Sequence, residues 1–164
     1  MTALVFQEDD LAITTIYAAE DAVLKVLDQG GTVDFHGSTL DLSQIKVRRY
    51  TPSQVPFAKG MLHGMYQANR GPGVREDSPT LRISKRAYRR AVYQPGKHEI
   101  VMPQSQWAWN DLVLMHELAH ALTPHTGRGT RAAHGREWRK MYAALVSQAI
   151  GPEAGLLLMN GLDV

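Results

Sequence analysis

The chain has 164 residues, 44% hydrophobic and 21% charged, with a formal net charge of +2 and a pI near 9.0. That is enough chain to bury a core without staples, and the balance excludes a disordered or fibrous protein. Zero cysteines exclude disulfides, cysteine zinc ribbons and thiol catalysis, and so mild a basic excess does not by itself imply nucleic acid.

The opening stretch, MTALVFQEDDLAITT, has no basic segment followed by an apolar run, and nowhere do about 18 uncharged apolar residues run together. A soluble, cytoplasmic chain with no membrane span is expected. Residues 9–28 read as a first helix. Asp9 and Asp10 suit its first turn, Leu11, Ile13, Ile16, Tyr17, Val23, Leu24 and Leu27 form its apolar stripe, and Gly30-Gly31 stops it. Residues 32–50 read as short strands. Val33 and Phe35 alternate with polar neighbours, His36-Gly37-Ser38 turns as a surface loop, Leu40 and Leu42 resume, and Ile45, Val47 and Tyr50 offer a further strand. Helix signals return at Pro52, with Ser53 as a cap and Phe57, Met61, Leu62 and Met65 as the packing face.

Asn69 to Pro79, NRGPGVREDSP, reads as a solvated connector, with a lid beside the active site as the lesser alternative. Leu81 to Arg90 holds five basic residues and no acid, so it is a solvated face or a weakly supported nucleic-acid contact. Residues 91–103 read as a β-hairpin turned by Pro95-Gly96, with His98 on its surface. Its second strand runs into the next helix and is expected to lie along a cleft, where an extended peptide could pair with it.

That next helix, residues 106–122, lacks Pro and Gly, is apolar nearly all round and is therefore expected to be buried. Within it stands His116-Glu117-Leu118-Ala119-His120, the pattern H-E-x-x-H. Residues four apart share a helix face one turn apart, so both imidazoles can reach one cation from the same side. Glu117 can then take a proton from an activated water and pass it on. Two core histidines hydrogen-bonded to Glu117, with no metal, would be the bland alternative. A catalytic zinc site takes three protein ligands and keeps a fourth position open. His134, opening the following helix, is favoured as the third ligand. His125 and Glu137 are the alternatives, Glu137 more naturally lying outside the ligand set or at the surface. The metzincin spacing fails, because Thr123 and Thr126 stand where a glycine and a histidine are needed. Gly127 to Arg131 is a basic loop. The helix from His134 to about Ile150 is expected to pack Trp138, Met141, Tyr142 and Leu145 inward, Tyr142 having oxyanion stabilisation as its lesser alternative. A short last helix spans Glu153 to Met159, with Leu156-Leu157-Leu158 closing the domain or meeting a partner.

HELAH, a loop, then HGREW opening a helix resembles the SprT-like branch of zinc metallopeptidases over about residues 95–145. Across most of its length the chain resembles the small actinobacterial and actinophage HEXXH metallohydrolases. The resemblance implies a minimal zincin domain over residues 1–164, with His116, His120 and His134 as Zn2+ ligands and Glu117 as general base. A cysteine zinc ribbon, common in SprT-like proteins, is missing, so a DNA-dependent role is not implied. The sequence thus predicts an α+β domain, with helices packed on a small mixed or antiparallel sheet. Its expected function is zinc-dependent hydrolysis of a peptide or protein substrate. The alternatives are a zinc amidase on a small-molecule or cell-wall peptide substrate, and a zinc-stabilised nucleic-acid module using residues 82–90.

Overall fold

A computed structural model describes residues 11–86, 90–124 and 134–164. In chain order the elements are α1 (Ile13–Gln29), β1 (Thr32–Phe35), β2 (Ser38–Asp41) and a 3-10 turn (Pro52–Gln54) running into α2 (Val55–Asn69). They continue with β3 (Thr80–Ile83), β4 (Val92–Gln94), β5 (Glu99–Met102), a 3-10 turn (Gln106–Ala108), α3 (Asp111–Leu122), α4 (Arg136–Ala149) and α5 (Pro152–Leu162). The protein is mixed α+β, with five helices and two small sheets among the described residues. None of those helices is long and apolar enough to cross a membrane. Two compact units divide the chain: residues 1–48 with 128–164, and residues 49–127.

In the first unit α1 buries Ile16, Ala19, Val23 and Leu27, one helical face at three- and four-residue spacing. Asp9 and Asp10 lie outside the described residues. Gly30, at φ 68°, ends the helix and donates its N–H to the Val26 carbonyl. β1 and β2 pair antiparallel through a two-residue loop, His36-Gly37, whose φ values of 49° and 80° match the twist of the strands. His36 is at the surface as expected, and its Nε2–H donates to Asn160 Oδ1 on α5 at 2.9 Å. The last helix is longer than expected. Leu158 is buried in it, but Leu156 is 41% exposed, so the leucine run does not pack as a block. α5 lies against α1 and α4. Close approach to α4 depends on Gly155, where a Cβ would stand 2.7 Å from Ser147 Cβ.

In the second unit β5 is the central strand, parallel to β3 and antiparallel to β4. This corrects the expectation that the strand entering the motif helix lines a cleft. Both its edges are already paired, and its Ile100, Val101 and Met102 are buried. Residues 45–48 form no strand, and Arg49 pairs with Asn110 in an isolated antiparallel bridge. The cap of the next helical stretch is Thr51 rather than Ser53, its N–H donating to Gln54 Oε1 at 3.0 Å. α2 buries Ala58, Leu62 and Tyr66, while Phe57 turns outward at 60% exposure.

Segment 70–79 is more than a solvated connector. Tyr66 Oη donates to the Arg75 carbonyl at 2.6 Å, and Gln67 Nε2 to the Glu76 carbonyl at 2.9 Å. Gly73, at φ 88°, sits where a Cβ would touch the Pro124 ring at 3.4 Å. His98 completes the attachment and is another correction, being 3% exposed rather than at the surface. Its Nε2 lies 2.5 Å from the Asp77 carbonyl, which can only accept, so Nε2 carries the proton. Nδ1 and Tyr93 Oη share a second hydrogen bond at 2.7 Å. Burial pushes the Tyr93 phenol up to about 12 and also raises Tyr66.

Candidate metal centre

The segment entering α3 is fastened before the motif begins. Trp109 Nε1 donates to the Pro103 carbonyl at 2.9 Å, and Asn110 Nδ2 to the Trp107 carbonyl at 3.0 Å. Asn110 caps the helix, its Oδ1 accepting from the Val113 N–H at 3.1 Å. Asp111 follows in the first turn, where the helix dipole favours a negative charge. It is fully buried, and its Oδ1 accepts from Tyr50 Oη at 2.6 Å. All residues of α3 except Val113 and His120 are buried, as expected from its apolar circumference.

On this helix His116 and His120 stand one turn apart, with ring centroids 5.2 Å apart and tilted by 60°. His116 and Glu117 are 4% and 6% exposed, whereas His120 is half-buried and marks the side open to solvent. His116 Nε2 lies 3.8 Å from Glu117 Oε1, an ion-pair distance too long for a hydrogen bond. The Glu117 contact on which the bland alternative depends is therefore not made at this nitrogen. Thr123 closes the helix, its Oγ1 donating to the Ala119 carbonyl at 2.7 Å.

His134 is half-buried in the turn that opens α4, just before the N-cap Gly135. Its carbonyl accepts from the Leu11 N–H at 3.3 Å and from Arg139 Nη1 at 3.1 Å. Its ring meets Trp138 edge-on at 4.6 Å, and Trp138 in turn lies 5.2 Å from the buried ring of Tyr142. Tyr142 thus packs as expected, and Glu137 is exposed. His125 and the Gly127 to Arg131 loop lie outside the described residues.

Among the described residues, His116, His120 and His134 are a group able to hold a metal, each offering one ring nitrogen within 4.8 Å of the others. Tetrahedral zinc at about 2.0–2.1 Å holds such nitrogens roughly 3.3 Å apart. Among the described residues three imidazoles make up the group, the donor set of an open, catalytic type of site. The sequence did not reveal Tyr50, the buried partner of Asp111. The two are 61 positions apart, and nothing local marks the pairing. No family model, curated protein or solved structure matches the chain.

Proposed function

We propose that the protein is a zinc-dependent metallohydrolase of minimal zincin type, cleaving peptide bonds. The observation that carries this is the convergence of three imidazole nitrogens, two of them flanking a buried glutamate. His116, His120 and His134 would hold the ion. Zinc, when bound, supplies a Lewis acid that polarises a carbonyl oxygen and lets water ionise near pH ~7. Glu117 Oε1 takes the proton from the attacking water and delivers it to the leaving amine nitrogen. Burial of Glu117 shields that transfer from bulk water, while half-exposed His120 leaves an approach for substrate. The Asn110 cap and the Tyr50–Asp111 bond fix where α3 starts, and so where its two histidines stand. Because β5 is paired on both sides, an extended substrate would use the outer edge of β4, which lies against α3.

Metal content of the purified chain, measured beside hydrolysis of a quenched-fluorescence peptide library, tests this. One zinc per chain is expected, lost in His116→Ala and His134→Ala. Glu117→Gln should keep the zinc and lose about 10²–10⁴-fold in rate, the share of a general base. A folded chain that takes up no zinc refutes the proposal.

A further inference from the structure

Among the described residues the second unit carries an unpaired strand edge with an apolar pocket at its end. Thr80 N–H bonds the His98 carbonyl at 3.1 Å, and Ser84 N–H bonds the Met102 carbonyl at 2.8 Å. In a parallel ladder alternate residues face the partner strand, so Leu81 and Ile83 turn their N–H and C=O groups the other way. No strand among the described residues takes that edge, since the sheet order is β3-β5-β4. Open edges of this kind are templates for another extended chain.

Leu81 is buried, whereas Ile83 on the same face is 43% exposed and forms one wall of a cavity of about 210 Å³. Val55, Tyr50 and Trp109 form other walls. The space falls below the roughly 300 Å³ at which small-molecule sites begin, and it suits a single large side chain. Gln104 and Gln106 also line it. Gln104 Nε2 donates to the Ser84 carbonyl at 3.1 Å and Gln106 Nε2 to the Tyr50 carbonyl, which leaves both amide oxygens as acceptors for a peptide N–H. Directly beyond the strand stand Lys85 and Arg86, exposed and in no ion pair among the described residues, whereas Arg82 is bound to Glu99 at 3.1 Å.

We infer that the outer edge of β3 docks an extended peptide segment, adding it as a strand, burying one apolar side chain in the pocket and placing acidic residues against Lys85 and Arg86. The backbone edge gives the affinity, the single-residue pocket sets the anchor, and the two exposed cations select the flank. This site is separate from the histidine cluster, and it stands whether or not the chain is a hydrolase.

Fluorescence anisotropy with the full chain and a labelled Thr-Val-Thr-Phe-Thr-Glu-Glu probe tests it. Saturable binding is expected. It should weaken roughly three- to tenfold in Lys85→Glu/Arg86→Glu, a variant confined to exposed side chains. N-methylating alternate probe residues, which needs no protein variant, should weaken it about tenfold on one of the two phases of alternation. Probe affinity unchanged by both alterations overturns the inference, as does an absence of saturable binding below about 1 mM. So does oligothymidine binding lost in the same double variant while the peptide stays unbound, which would make the patch a nucleic-acid contact. A dimer in sedimentation that Ile83→Glu dissolves would instead assign the edge to a second copy of the chain.

Discussion

Replacing His98 with alanine removes two hydrogen bonds and an imidazole from a site that is 3% exposed. Each bond is worth about 1 kcal/mol net, and deleting a buried ring of that size adds about 2 kcal/mol for the space left behind. The expected loss is about 4 kcal/mol, a large part of the 5–15 kcal/mol typical of a folded chain. With a urea slope of about 2 kcal/mol per molar, the unfolding midpoint read by circular dichroism should fall by about 2 M. Tyr93→Phe keeps its ring and loses one bond, so it should fall by about 0.5 M. Amide exchange in residues 70–79 should quicken more in His98→Ala than exchange in α1, because the Asp77 carbonyl loses its donor. A His98→Ala midpoint within about 0.3 M of the parent would refute this account of a buried, doubly bonded histidine.

Tyr50→Phe should cost about 1.5–3 kcal/mol in the same titration, since it removes a bond to a buried carboxylate. Gly155→Ala should destabilise by about 1–3 kcal/mol despite better helix propensity, because the new Cβ would sit 2.7 Å from Ser147 Cβ and 3.2 Å from the Ala143 carbonyl. Stability should also fall across pH 10–12. Tyr93 titrates at about 12 when folded and at 10.0 when free, so between those values the unfolded chain has lost a proton that the folded chain keeps. Its contribution is complete below pH 10 and gone above about 12, and Tyr93→Phe should remove that share of the fall in a pH series of unfolding midpoints.

What was legible in the sequence followed local periods. His116 and His120 could be placed together because four residues of helix bring side chains onto one face, and α3 was expected to be buried because its circumference is apolar. The first hairpin was visible in alternation around His36-Gly37, a loop sequence that tolerates two positive φ values. Pairings across long stretches of chain left no such mark. β3 lies beside β5 through a parallel register, Thr80 opposite Glu99, which neither segment advertises; with it went the expectation of β5 as an edge. On α2, Leu62 is buried and Met61 and Met65 are half-buried as expected, but the first turn differs by one position, about 100° of rotation. The outward Phe57 looked like core, whereas the buried residue there is the smaller Ala58, in line with Leu62 and Tyr66. His98 looked like a surface residue of the hairpin because its partners, the Asp77 carbonyl and the Tyr93 hydroxyl, are a backbone group 21 positions away and a side chain across the hairpin.

The fastening of residues 70–79 changes what an engineer should do with them. A stretch rich in glycine, proline and charge invites use as an insertion point for a tag or a circular-permutation break, because such stretches ordinarily accept foreign chain at little cost. Here its backbone carbonyls at Arg75, Glu76 and Asp77 are held from α2 and from His98, and Gly73 rests on the proline that follows the motif helix. Trypsin, which needs a length of extended backbone around Arg75, would first have to release that attachment. The segment therefore behaves as part of the scaffold, and an insertion there should cost stability as a core change does.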